Sequence, residues 1–193
     1  MSKNKSHHLG KENWKSFFEE FMAESDRAAV VLGAAKLDLL LYQILERYLT
    51  PCPTGKDELL DGDSPLSTYS SKINLCFRLG LIDSQLSRTL HLVRRIRNNF
   101  AHEVSGCDLT SGAHKDRVRE LCSPLKDFPI YKDVSEKASE EYDISGAPLD
   151  FRLSLAFASV ALDKKLDTIN TIGNDDPQPL ITKRILNYES ESS

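Results

Sequence analysis

The stretch from Ser25 to Leu49, SDRAAVVLGAAKLDLLLYQILERYL, decides the fold. After Asp26 and Arg27 it is apolar almost all round, from Ala28 through Ala35 and again from Leu37 to Leu45. A helix without a polar face has to be wrapped by neighbours, so this segment predicts the central helix of a bundle. Its small residues, Ala28, Ala29, Gly33, Ala34 and Ala35, allow a second helix to approach closely. Asp38 sits inside the run, where an ionised carboxylate is costly to bury alone, so it should face a cation or the rim of the helix.

Helical spacing continues on both sides. Trp14, Phe17, Phe18 and Phe21 fall at i, i+3, i+4 and i+7, which predicts a first helix from Asn13, as cap, to about Met22. Pro51, Pro53, Gly55, Gly62 and Pro65 mark a long loop of the kind that often carries function or flexibility. A third helix is expected from about Ser67 to Leu79, closed by Gly80. Asp83 or Ser84 can cap a fourth, whose stripe runs through Leu86, Leu90, Val93, Ile96 and Phe100. A fifth spans about Ser111 to Cys122. Pro124, Pro129, Gly146 and Pro148 then suggest an irregular, exposed and acidic connection, with three Lys against seven Asp and Glu between Lys126 and Asp150. The last helix is expected from about Asp150 to Ile169, burying Leu153, Ala156, Phe157, Val160, Ala161 and Leu166. No strand alternation or repeat competes with this pattern. The expectation is an all-α, compact bundle of about five to six helices. A single helical domain would cover residues 13–172, between a flexible N-terminal segment, 1–12, and a flexible tail, 173–193.

Composition narrows the function. A chain of 193 residues with 40% apolar and 28% charged residues can build one ordinary core. Net charge is −4, from 25 Lys and Arg against 29 Asp and Glu, which excludes a generally basic nucleic-acid coat. The longest unbroken apolar run, Ala28 to Ala35, is far short of the roughly 20 residues of a bilayer span. No signal-peptide core follows the basic N-terminus, so the expected location is cytoplasmic, without a membrane partner. Cys52, Cys76, Cys107 and Cys122 contain no Cys-x-x-Cys pair and are expected as reduced thiols.

The average charge conceals one basic segment. From Ser84 to His102 the chain carries Arg88, Arg94, Arg95, Arg97, His91 and His102 and no acid. Such a helix can be a solvated face paired with acids on its neighbours, or a site for a phosphate or an acidic partner. The tightest group is Arg97-Asn98-Asn99-Phe100-Ala101-His102. Asn98 and His102 share a face, whereas Arg97 and His102 diverge by about 140° on an ideal helix. Convergence of Arg97 and His102 therefore needs a frayed helix end or two copies meeting across a twofold axis. With a guanidinium on phosphate and an imidazole taking a ribose proton, the pair could cleave RNA without metal. In the structural alternative Arg97 pairs with Asp26 or Asp38, while Asn98 and His102 close the helix end. Asp26 and Arg27 are likewise open between capping with ion pairing and the wall of a binding site.

Arg-x4-His at the end of an amphipathic helix resembles the motif of HEPN domains, helical bundles that often dimerise and include metal-independent ribonucleases. A more specific resemblance covers residues 25 to 102. Ser25-Asp26-Arg27-Ala28-Ala29, Pro65-Leu66-Ser67, Leu79-Gly80-Leu81-Ile82 and the block from Leu92 to His102 occur in the order seen in the mannitol operon repressor (MltR) family. That resemblance implies an all-helical transcriptional regulator, a repressor acting through protein partners rather than a DNA-binding module of its own. The candidate binding residues, taken from the basic helix and the adjoining site wall, are Arg94, Arg95, Asn98, Asp26 and Arg27. The alternative is a HEPN-type endoribonuclease, a toxin or defence effector, with Arg97 and His102 catalytic.

Other motifs are weaker. His102-x4-Cys107-x6-His114 lacks a fourth ligand and a recognised zinc spacing, so no metal and no cofactor is expected. Thr54-Gly55-Lys56 lacks the rest of a phosphate loop, and no Gly-x-Ser-x-Gly turn occurs. A helix-turn-helix around Leu79 to Arg97 would need the face that Val93, Ile96 and Phe100 claim for the core, which argues against direct DNA reading. The partners expected are a protein and a second copy of the chain, with RNA under the ribonuclease alternative.

Overall fold

The computed structural model describes residues 11–53, 55–103 and 106–172. Within them lie seven α-helices and no strand: α1 (Lys11–Ala23), α2 (Asp26–Tyr48), α3 (Tyr69–Arg78), α4 (Ser84–His102), α5 (Gly112–Lys126), α6 (Pro129–Tyr142) and α7 (Ala147–Thr168). The fold is the all-α bundle expected, with one helix more. The side chain of Trp14 and the terminal segments 1–10 and 173–193 lie outside the described residues. Helix α1 begins at Lys11, ahead of the expected cap at Asn13.

Local chemistry sets the helix ends. Ser25 caps α2 by accepting from the Ala28 N–H at 3.3 Å, Thr68 caps α3 through the Ser71 N–H at 3.1 Å, and Asp83 caps α4 through the Leu86 N–H at 2.7 Å. Gly80, at φ +68°, takes the left-handed conformation that lets the Leu81 N–H return to the Cys76 carbonyl. Leu81 and Ile82 then enter the core.

Helix α2 is the hub, packed against α7, α4, α3 and α1. Its buried side is Ala29, Val30, Gly33, Ala34, Lys36, Leu37, Leu40, Leu41, Ile44 and Leu45. A Cβ at Gly33 would stand 1.9 Å from Leu155 Cδ2, so α2 and α7 touch nearly backbone to side chain there. The wrapping is incomplete, however, because Val31, Leu32, Ala35 and Leu39 remain exposed along one stripe. By length and composition α2 could cross a bilayer, with a mean hydropathy of 1.7, but 56% of that window is buried inside the bundle. Asp38 meets its expected cation in Lys72, at 2.8 Å.

The region from Pro124 to Pro148 differs from the irregular connection expected. Pro129 opens α6, where its missing N–H costs nothing, and Pro148 lies in the first turn of α7. Tyr131, Val134, Ala138 and Tyr142 form the inward stripe of α6, part of a second apolar cluster with Met22, Cys122, Leu149 and Leu153. Asp150 ties that cluster together, accepting from the Tyr131 hydroxyl at 2.7 Å and the Lys126 ammonium at 3.1 Å. The α7 face is also rotated from expectation. Phe151, Arg152, Leu153, Leu155, Ala158 and Leu162 are buried, whereas Val160 and Ala161 face outward. The long loop after α2 is held by hydrogen bonds, including Tyr42 Oη to Asp61 Oδ1 at 3.0 Å, and buries Leu60.

Candidate functional site

Helix α4 turns Leu90, Leu92, Val93, Ile96 and Phe100 to the core, which leaves its basic residues on the remaining arc. They have different fates. Arg88 is exposed and pairs with Glu120 at 2.5 Å, the neutral arrangement of a solvated helix. His91 bonds through Nε2 to Asn74 Oδ1 at 3.1 Å. Its pKa is lowered by partial burial first, and then by the guanidinium groups of Arg94 and Arg95.

Arg94 and Arg97 are half-buried beside Tyr69, whereas Arg95 is exposed. Neither Arg94, Arg95 nor Arg97 has an acidic partner within ion-pair distance among the described residues. The Arg94 Nε and the Tyr69 hydroxyl are both buried without a hydrogen-bond partner there. Burial, and secondarily the Asp38 carboxylate, push the Tyr69 phenol far upward, while Arg97 and Arg94 oppose them. The pairing of Arg97 with Asp26 or Asp38 does not occur, because both acids are already engaged. Asp38 holds Lys72, and Asp26 holds Arg152 at 3.0 Å and the Leu109 N–H at 3.2 Å.

Arg152 is the partner the sequence does not announce. Its side chain is 2% exposed and links the first turn of α7 to the α1–α2 junction, donating to Asp26 Oδ1, to the Glu24 carbonyl at 2.5 Å and to the Pro148 carbonyl at 3.0 Å. Arg27, one residue on from Asp26, reaches the other way. It donates to the carbonyls of Phe100 at 2.9 Å and Glu103 at 2.6 Å, placing a cation on the negative end of the α4 dipole. Arg27 thus holds the end of α4, while Asp26 joins the start of α2 to α7 and to the α4–α5 connection.

At that end His102 is exposed, while Asn98 is half-buried. Helix α4 is continuous through His102, so within one copy Arg97 and His102 retain the divergence of five helical residues. Beyond it Glu103, Cys107 and His114 come together, their ligand atoms all within 4.8 Å of one another. His114 Nε2 lies 3.4 Å from Glu103 Oε1 and 3.6 Å from Cys107 Sγ, and its ring packs edge-on against Phe100 at 4.8 Å. Sequence spacing had offered His102 to this group; Glu103 is the residue that joins it. The thiol of Cys107 is pushed up to about 11 by loss of solvent and by its contact with Glu103, and the Glu103 carboxyl is correspondingly lowered by Cys107 and His114.

The architecture is that of an all-helical bundle around a central apolar helix, with a basic helix braced at its C-terminal end. Among solved structures it is similar to a chain in the X-ray structure of the MtlR–HPr complex from Escherichia coli, with a TM-score of 0.54 and 18% identity. The match covers 77% of this chain and 99% of that one, and it establishes likeness of fold. No protein-family profile matches the sequence, and no curated protein matches it significantly.

Proposed function

We propose that the chain is an MtlR-type transcriptional regulator, a repressor that acts through a protein partner rather than through a DNA-binding module of its own. The observation that carries this reading is the fold likeness to almost the whole of a chain solved in complex with HPr. It is supported by the arc of α4 where Arg94, Arg95 and Arg97 have no acidic partner among the described residues. Unpaired guanidinium groups on a rigid helix suit carboxylates on a partner surface. Asn98 borders that arc, Arg27 holds its far end, and Asp26 stands next to Arg27 at the start of α2. The setting is cytoplasmic, and the regulator is a homodimer through the exposed Val31, Leu32, Ala35 and Leu39 stripe of α2, an apolar surface that a second copy would cover.

The test is calorimetric titration of the full chain with the HPr protein of the same cell. Saturable binding that weakens by an order of magnitude in Arg95→Glu is the expected result. Absence of binding at low salt, where charge attraction is strongest, would overturn the choice of partner.

A second reading is a HEPN-type, metal-independent endoribonuclease with Arg97 on the phosphate and His102 as general acid or base. What favours it is that Arg97 is not consumed by an acid and that His102 is exposed at the helix end. RNA cleavage in the presence of a chelator, lost in folded Arg97→Ala and His102→Ala, would support it; intact RNA across varied substrates would exclude it.

A further inference from the structure

We propose that Glu103, Cys107 and His114 form a binding site for a divalent transition-metal ion of the zinc type, with a fourth position open to solvent or to an incoming ligand. The three residues come from three places: the residue capping α4, the connection that follows it, and the first turn of α5. Only folding assembles them, which is why their spacing in the sequence resembles no zinc motif.

The geometry carries the proposal. Zinc bound at about 2.0–2.1 Å to nitrogen or oxygen and about 2.3 Å to sulfur has tetrahedral ligand–ligand edges of about 3.4–3.6 Å. The oxygen–nitrogen edge here is 3.4 Å and the sulfur–nitrogen edge is 3.6 Å. His114 is wedged against Phe100, its Nδ1 is buried without a hydrogen-bond partner among the described residues, and Nε2 is the atom that faces Cys107 and Glu103. A set of one thiolate, one imidazole and one carboxylate suits zinc or cobalt better than calcium or magnesium, which take oxygen ligands.

Binding replaces the thiol proton. Cys107 S–H loses its proton to solvent as the sulfur–metal bond forms, His114 binds as neutral imidazole, and Glu103 binds as carboxylate. The two ligand charges offset those of a divalent ion, so the loaded site is neutral. Arg27, bonded to the Glu103 carbonyl, stands beside it and favours the anionic ligands. The ion would staple the α4–α5 connection next to His102. The site needs neither the partner nor any catalysis, since its ligands are Glu103, Cys107 and His114 of this chain.

Titration of the reduced full chain with Co²⁺ tests it. One equivalent should produce a sulfur-to-cobalt charge-transfer band and the visible bands of tetrahedral cobalt, and Zn²⁺ should displace both. Cys107→Ser should abolish the charge-transfer band while circular dichroism shows the helices intact. His114→Gln should weaken Zn²⁺ binding by at least the roughly 10- to 100-fold that loss of an outer-shell partner costs. Cys52→Ser, and His7→Ala with His8→Ala, should leave the spectrum unchanged. Absence of the charge-transfer band, or its survival in Cys107→Ser, would overturn the site and leave only a hydrogen-bonded cluster.

Discussion

The guanidinium of Arg152 and the carboxylate of Asp26, 126 positions apart in the sequence, meet at 3.0 Å. The pair joins the start of α7 to the start of α2, and Asp26 passes the connection on to the Leu109 backbone. Because Arg152 also holds the Glu24 and Pro148 carbonyls, truncating it strips a partner from three acceptors at once, two at the α1–α2 junction and one in the first turn of α7.

Arg152→Met should therefore cost about 3 kcal/mol, the lower end of the range for breaking a buried pair from one side. Asp26→Asn should also destabilise, and the double variant should lose less than the sum of the two. Urea unfolding of the four proteins, read as a double-mutant cycle, measures the coupling. Additivity would mean that the pair contributes nothing of its own.

His91 predicts a pH dependence. Its folded pKa lies below the ordinary value of 6.5 because burial and the neighbouring Arg94 and Arg95 disfavour the imidazolium. Below 6.5 the unfolded chain then binds more protons than the folded one, so stability decreases as pH is lowered. The contribution is fully present above pH 6.5 and is lost as pH drops toward the depressed value. In His91→Gln the decline between pH 6.5 and 5 should be shallower, as followed by the urea midpoint, while an NMR titration of the wild type should place His91 below a model histidine.

The central helix, the α4 stripe and the cap at Asp83 were legible because period and capping are local. The reading failed where a local signal had two meanings. Pro129 and Pro148 read as breakers, yet proline is as well suited to a first helical turn, and only the stripe of Tyr131, Val134, Ala138 and Tyr142 decides between them. Arg152 was invisible for a different reason. Its burial is made tolerable by two acceptors distant in sequence, Asp26 and the Glu24 carbonyl, together with the Pro148 carbonyl one turn back in its own helix. Glu103 could not be found from spacing either, since its partnership with Cys107 and His114 is set by the path of the connection between two helices.

Gly33 gives a packing prediction. With Leu155 Cδ2 only 1.9 Å from where a Cβ would stand, any side chain must displace the α7 leucine. Alanine gains up to about 1 kcal/mol of helix propensity over glycine, and rotation of the flexible Leu155 tip can offset the clash, so Gly33→Ala should be near neutral. Valine has no such escape and should cost about 1–3 kcal/mol through overpacking. Thermal unfolding should rank the proteins wild type and Ala together, well above Val, and Gly33→Val should recover in part when combined with Leu155→Ala.

Arg27 bears on the motif itself. Its two bonds to the Phe100 and Glu103 carbonyls satisfy acceptors that the end of α4 would otherwise leave to water. Their loss in Arg27→Ala should free the last turn, where His102 sits, without loosening the core turns at Leu90, Val93 and Ile96. Because Arg27 is exposed, the effect should be about 1 kcal/mol or slightly more, which corresponds to roughly five- to tenfold faster amide exchange at Phe100 to Glu103. Lysine supplies the charge but not the two-pronged geometry, so Arg27→Lys should restore only part of the protection. Equal acceleration along all of α4 would show that Arg27 supports the whole helix, and unchanged exchange would show that the bonds do not hold its end.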